Sequence, residues 1–169
     1  MKMAIITLPE TDRLRLRYIL ENDAENFYQM TCDPSIQQYM PFIHQKTVEE
    51  TVTQIIRYKK NNGIYNFNVL IEEKSSGKIV GAILAFASIT SPLDLDVNIL
   101  TESASRKKGY MSEALKAFIN AMPKATTLSF SIHTTNQASL KTVSKLPGIK
   151  KMSGGTPEDE YHDFYLTTT

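Results

Sequence analysis

A mixed α/β fold, in which one sheet carries helices on both faces, is the architecture this sequence predicts, and three observations predict it. Two strand-like segments, Tyr65 to Glu72 and Lys78 to Phe86, flank a short turn, and a third strand pattern follows at Leu93 to Ile99. Beyond it the rhythm becomes helix, strand, helix and then two closing strands. Apolar residues also recur at helical spacing in two segments, one before the run of strands and one after it. Hairpin-linked strands imply antiparallel pairing, while strand–helix–strand passages imply helices packed on the sheet faces.

Each element has its own local cause. Leu14 and Leu16 alternate with Arg13, Arg15 and Arg17, the period of a half-buried strand. Glu21 to Met30 opens acidic and reads as a helix; Asp33-Pro34 then reads as an N-cap followed by proline at the first helical position. Thr47-Val48-Glu49-Glu50 is a capping box, and Val48, Val52, Ile55, Ile56 and Lys59 share one face of the helix it starts, which should stop at Asn61-Asn62-Gly63. Lys74-Ser75-Ser76-Gly77 is the hairpin connection. Asp94, Asp96 and Asn98 alternate with Leu93, Leu95, Val97 and Ile99, so the third strand has one apolar face. Met111, Ala114, Leu115, Phe118, Ile119 and Met122 form a helical stripe ended by Pro123. Leu128, Phe130 and Ile132 mark the next strand, and Asn136 to Leu146 reads as a helix capped by Asn136 and stopped by Pro147-Gly148. Ile149 to Met152 and Tyr161 to Leu166 are the last strands, around a loop beginning Ser153-Gly154-Gly155-Thr156-Pro157.

Composition narrows the function classes. The 169 residues fit one domain spanning 1–169, with 41% hydrophobic and 22% charged residues, the balance of a folded globular chain. A net charge of +1 gives no global attraction to nucleic acid or an anionic membrane, so any anion must be drawn by a local feature. Cys32 is the single cysteine, which excludes an internal disulfide and a thiolate-rich metal site. No apolar run approaches the ~20 residues of a membrane span, and the N-terminus lacks the pattern of a signal peptide. A cytoplasmic location is the expectation.

The most informative stretch runs from Asp94 to Met122. A strand leads into a short polar loop, then Arg106, Lys107, Lys108 and Gly109 stand immediately before an amphipathic helix. The first N–H groups of a helix have no intrahelical acceptor, and the helix dipole adds partial positive charge there. Gly109 lets a ligand approach the backbone, and three basic residues add charge, which suits a phosphate or pyrophosphate. Neither a P-loop nor a Gly-x-Gly-x-x-Gly turn is present. Taken alone, the segment is equally well read as a solvated basic turn.

Arg106-x-x-Gly109-x-Met111 resembles the acyl-CoA signature of the GCN5-related N-acetyltransferases (GNAT superfamily), Arg/Gln-x-x-Gly-x-Gly/Ala. Its continuation Gly109-Tyr110-x-x-Glu113-Ala114-Leu115 is similar to the RimJ/RimL-like branch, which acetylates the N-termini of ribosomal proteins. The resemblance covers nearly the whole chain: Thr11-Asp12-Arg13-Leu14-Arg15-Leu16-Arg17 is similar to that branch's opening strand, Ile79-Val80-Gly81 to its third strand, and Asn136-Gln137-Ala138-Ser139 to its Asn-x-x-Ser motif. It implies a mostly antiparallel sheet whose fourth and fifth strands splay apart. It also implies acetyl-CoA as the cofactor and a primary amine, either a protein N-terminus or a small molecule, as the acceptor.

Carried over by position, the resemblance gives a site. Ile99, Leu100 and Thr101 would offer backbone groups to the pantetheine arm of CoA. The pyrophosphate would sit on backbone amides of Arg106, Lys107, Lys108, Gly109, Tyr110, Met111 and Ser112, with Lys107 or Lys108 assisting. Asn136 would contact pantetheine, and Ser139 would lie near the thioester sulfur as candidate general acid. Asp96 occupies the position where the branch often has a glutamate and is the candidate base; His133 is a second one, since an imidazole titrates near neutrality. For Asn136 and Ser139 the plain alternative is helix capping, which Asn and Ser favour. Three departures bear on the site: Met111 replaces Gly or Ala, Asn98-Ile99 replaces Gly-Tyr, and Lys145-Leu146-Pro147-Gly148-Ile149 replaces Lys-Leu-Gly-Phe. Acceptor choice is expected to reside in Glu21 to Asn62 and the Ser153 to Tyr161 loop. A monomer or homodimer that binds neither nucleic acid nor membrane is the expected state. A non-catalytic acyl-CoA-binding module is the competing reading, motivated by Met111.

Overall fold

The computed structural model describes residues 5–60, 62–153 and 158–169. Seven strands form one sheet: β1 (Leu14–Tyr18), β2 (Asn66–Glu73), β3 (Ile79–Ser88), β4 (Ser91–Thr101), β5 (Thr127–His133), β6 (Lys150–Lys151) and β7 (Tyr161–Thr167). Their order across the sheet is β1-β2-β3-β4-β5-β7-β6. All pairings are antiparallel except β4 with β5. The helices are α1 (Ala24–Thr31), α2 (Pro34–Gln37), α3 (Val48–Lys59), α4 (Tyr110–Ala121) and α5 (Gln137–Val143). Among the described residues no helix is long and apolar enough to cross a membrane.

Strand alternation divides the core in two. Leu14, Leu16, Val69, Ile71, Val97 and Phe130 point to one face and pack against Ala114, Leu115 and Phe118 of α4 and Val143 of α5. Ile19, Leu70, Leu84 and Leu100 point to the other face, against Phe27 of α1, Ile36 of α2 and Ile55 of α3. The expected sheet with helices on both faces is therefore present. Phe118 and Phe27 are fully buried, and truncating such a ring to alanine typically costs ~3–5 kcal/mol.

The caps read from the sequence form. The Thr47 side chain accepts from the Glu50 N–H at 3.1 Å and starts α3. Asp33 Oδ1 accepts from the Ser35 N–H at 2.8 Å, with Pro34 in the first turn of α2. α3 ends at Lys59, and of its expected stop signal Asn61 lies outside the described residues, as do Gly154 to Pro157 of the final loop. The strand expected at Ile149 to Met152 shrinks to Lys150–Lys151, the helix expected from Glu21 opens as a 3-10 turn at Glu21–Asp23 before α1, and two other shifted boundaries have a local cause. α5 ends at Val143 rather than Leu146, because Pro147 disfavours helical backbone at the residue before it and Leu146 turns back to Val143 O instead. β4 begins at Ser91, two residues before the apolar alternation, because antiparallel pairing carries on to Ser88 of β3.

Candidate active site

The parallel pairing of β4 with β5 is short. It covers Asp94↔Thr127, Leu95↔Leu128 and Asp96↔Ser129, and then the strands part. β4 runs on to Thr101 still paired with β3, and β5 runs on to His133 paired only with β7. From Val97 onward β4 therefore presents one ladder edge to an open wedge. Unpaired backbone groups flanked by core require a partner from water or ligand. Alternation turns the backbone groups of Ile99 and Thr101 to this edge, whereas the Leu100 carbonyl faces β3 beside Gly81, so Leu100 does not offer the edge contact that was expected of it. The carbonyl of Thr101 is already engaged by Arg106 Nε at 3.2 Å. Because β4 and β5 are parallel, the helices that follow them, α4 and α5, both start at this same end of the sheet, where ligands of open α/β sheets bind.

The segment before α4 presents a run of unpartnered backbone donors. After a 3-10 turn at Ser103–Ser105, Lys107 adopts φ 62° and Gly109 φ 77°, both left-handed, with Gly109 as the N-cap. A non-glycine residue in this region carries about 1 kcal/mol or more of strain, which the surroundings must hold. Among the described residues no protein acceptor meets the backbone N–H groups of residues 107–112. Six successive donors at a helix start, with alternating left-handed backbone, form the concave nest that binds phosphate groups. The Lys107, Lys108 and Gly109 residues are exposed. The donor set and the neighbouring wedge fit a pyrophosphate and its pantetheine arm.

Met111, the departure from the signature, does not crowd this cradle. Its side chain is 7% exposed within the core under α4. Its methyl lies 3.4 Å from where a Cβ on Gly81 would be. Tyr110 is likewise buried, and its hydroxyl donates to a Glu73 carboxylate oxygen. That bond to an anion raises the Tyr110 pKa. Ser112, one turn into the helix, is half-buried.

The Arg106 side chain points away from the cradle. Its Nη2 pairs with Asp33 Oδ2 at 2.9 Å while Nε holds Thr101 O. Ser35, through its hydroxyl and N–H, together with the Arg106 charge, holds the Asp33 carboxyl below its usual range. The Arg106 guanidinium ties the end of β4 to α2, and its backbone N–H already donates to Ser103 O at 3.4 Å as it closes the 3-10 turn, so against expectation the Arg106 amide is not among the free donors of the cradle. Beyond the other end of α2, the Tyr39 hydroxyl meets Thr135 Oγ1 at 3.2 Å and its ring lies 5.8 Å from that of His133. The 33–39 segment thus bridges the two lips of the wedge. Nothing in the sequence marks Asp33, Tyr39 and Thr135 for this role. Asp33 reads in sequence as a helix cap, which it is, and nothing local reveals its second, long-range partner.

Asn136 caps α5 by accepting the Ser139 N–H at 3.2 Å. Ser139 is half-buried, and its Oγ has no hydrogen-bond partner among the described residues. The capping role and a role toward a ligand are compatible for this pair. Asp96 lies at the last β4–β5 pair, at the apex of the wedge. It is exposed and alternates with buried Leu95 and Val97, so it shares a face with Asp94 and Asn98, as the alternation predicts. Register places Ser129, Ser131 and His133 on this same face. His133 Nδ1 accepts the Thr135 N–H at 3.2 Å. The neutral ring then carries its proton on Nε2 and offers a donor there rather than a lone pair. Among the candidates, Asp96 is the one that presents a free acceptor.

Comparison with known proteins agrees with this geometry. A family model described as acetyltransferase (GNAT) domain matches residues 13–147. No curated protein matches the chain in sequence. Among solved structures, the chain resembles a putative ribosomal-protein-serine acetyltransferase from Vibrio cholerae at 16% identity and a TM-score of 0.75, covering 98% of this chain and 99% of that one. It also resembles RimL, a ribosomal L7/L12 α-N-protein acetyltransferase in complex with coenzyme A, at 16% identity and a TM-score of 0.73, covering 95% and 97%. A third is spermidine N-acetyltransferase from Vibrio cholerae in complex with CoA and spermine, at 12% identity and a TM-score of 0.76, covering 94% and 97%. At these identities the structural likeness establishes the fold. With the family model spanning most of the chain and a cradle and wedge of the right chemistry, the protein belongs to the GNAT acetyltransferases and is an acetyl-CoA-dependent N-acetyltransferase.

Proposed function

We propose that this chain, as a single catalytic domain spanning 1–169, transfers acetyl from acetyl-CoA to the primary amine of a protein N-terminus by direct attack in a ternary complex in the cytoplasm. The carrying observation is the run of unpartnered N–H groups at residues 107–112 opening beside the β4–β5 wedge. The cradle takes the pyrophosphate, with Lys107 and Lys108 adding positive potential, and the free edge at Ile99 and Thr101 takes the pantetheine amides. Asn136 stands at the far lip. Acetyl-CoA supplies an activated thioester. Asp96, at the wedge apex, accepts the proton that the attacking amine must lose, directly or through water. As the new C–N bond forms the C–S bond breaks, and the Ser139 hydroxyl passes a proton to the leaving CoA thiolate while regaining one from water.

The acceptor class rests on two supports. The Gly109-Tyr110-x-x-Glu113-Ala114-Leu115 motif is similar to the RimJ/RimL-like branch, and two of the structural relatives act, by their names, on ribosomal proteins. A small polyamine is the second reading, favoured by the likeness to a spermidine N-acetyltransferase. The Glu21 to Asn62 region and the Ser153 to Tyr161 loop are the places for acceptor selection. Initial rates of CoA thiol release, with acetyl-CoA and acceptor both varied across short peptides and polyamines, test the proposal. Intersecting double-reciprocal lines with a peptide N-terminus are expected. Parallel lines, or no turnover on any amine, would overturn it.

A further inference from the structure

We propose that Arg13 is a positioning residue for cofactor binding: it orients the Lys108–Gly109 peptide so that the Gly109 N–H faces the pyrophosphate. The inference rests on the cradle assignment above.

Arg13 immediately precedes β1 and reads in sequence as one more solvated arginine of an alternating strand. The structure ties it to α4 instead. Its Nε and Nη2 meet Glu113 Oε2 at 2.8 and 2.6 Å, and its guanidinium lies 4.7 Å from the centre of the Tyr110 ring. The remaining nitrogen, Nη1, donates to the carbonyl of Lys108 at 3.1 Å. Thr11 Oγ1 donates to the second Glu113 oxygen, so the acid that holds Arg13 is itself held from the same strand entry.

The consequence follows from peptide geometry. Among the described residues no peptide bond is cis. In a trans peptide the C=O and the next N–H point in opposite directions. Fixing the Lys108 oxygen toward Arg13 therefore aims the Gly109 N–H away from Arg13, toward the open side of the nest. Left-handed backbone at Lys107 and Gly109 flanks this peptide, and without an anchor such a loop can flip it at little cost. A flip would turn a carbonyl oxygen toward the anion.

The role is geometric rather than one of charge. Each of the three Arg13 nitrogens has a protein partner, and the Glu113 carboxylate offsets the guanidinium charge beside it. Lysine at this position keeps the charge but lacks the planar fork that serves Glu113 and the Lys108 carbonyl together.

Calorimetric titration of wild-type, Arg13→Met and Arg13→Lys proteins with CoA and with pantetheine, which lacks the pyrophosphate, tests the inference. Both variants are expected to lose about tenfold in CoA affinity while pantetheine affinity shifts less than about twofold. Arg13→Lys matching wild type would show that charge suffices and would overturn the proposal. Equal losses for both ligands would mark a merely structural role and overturn it as well. If the wild type itself shows no preference for CoA over pantetheine, the cradle assignment fails, and this inference with it.

Discussion

Gly81 offers the clearest quantitative test of how β3 and β4 are held together beside the wedge. It pairs with Thr101 at the end of β4. A Cβ added there would stand 2.6 Å from the Leu100 carbonyl oxygen, against the 3.4 Å at which ordinary contact begins, and the neighbour is backbone that cannot rotate away. The Met111 methyl and Thr101 Cα, each at 3.4 Å, close off sideways relief. Gly81→Ala must therefore push β4 away from β3 by roughly half an ångström or more in a ladder whose strands sit about 4.8 Å apart. The adjacent Glu102 N–H to Val80 O bond, now 2.9 Å, would stretch toward its limit. Overpacking of about 1–3 kcal/mol plus one weakened backbone bond of about 1 kcal/mol gives about 2–4 kcal/mol. For a chain of this length that lowers Tm by about 5–15 °C. Gly77→Ala is the control. It has a left-handed φ of 69° but nothing within 4 Å of the added Cβ, so it reports backbone strain without a clash and should lose only about 1 kcal/mol. Differential scanning calorimetry of both variants, followed by CoA titration, is the assay. A Gly81→Ala protein melting within about 1 °C of wild type would refute the close-approach argument.

Two further outcomes are expected. Asp23, 5% exposed, accepts both Nη groups of Arg17 at 2.8 Å and the Leu20 N–H at 2.9 Å. Burial pushes its pKa up, but these hydrogen bonds and the Arg17 charge outweigh it and hold the carboxyl below its ordinary value. A depressed folded-state pKa gives stability that is present above the unfolded value and lost as pH falls through the folded one. Asp23→Asn should therefore cost about 2 kcal/mol at pH 7 and flatten the decline in urea stability below about pH 4; an unchanged acid profile would contradict this. Ser139→Ala leaves the Asn136 cap intact, because the cap uses the Ser139 N–H. It should lower kcat by about 10- to 100-fold with little change in CoA affinity, and unchanged turnover in steady-state assays would remove Ser139 from the chemistry.

What could be read from the sequence was what local chemistry decides. The alternation at Leu14–Arg17 and Asp94–Ile99, the caps at Asp33, Thr47 and Asn136, and the apolar stripe of α4 each carry their cause within a few residues, and each is found. The Met111 side chain could be placed in the core from helical periodicity alone. The order β5-β7-β6 could not, because a two-residue β6 leaves almost no pattern and the crossover is decided by packing of Phe164 and Leu166 against β5. At the site, the basic triplet and Gly109 signalled an anion locally. The side chain of Arg106 went elsewhere, to Asp33, and Arg13 arrived from 95 residues away to hold the loop. Ion pairs between distant segments have no sequence period, so the residues that shape the cradle were hidden while those that form it were visible.

The central claim is that backbone amides at the start of α4 hold the cofactor's pyrophosphate while its arm lies along the β4 edge. A crystal structure with bound CoA tests it most directly. The account predicts pyrophosphate oxygens within about 3.2 Å of the N–H groups of Gly109 and its neighbours up to Ser112, pantetheine between β4 and β5, and the sulfur beside Ser139. A pyrophosphate held by lysine side chains alone, or CoA lying outside the wedge, would contradict it.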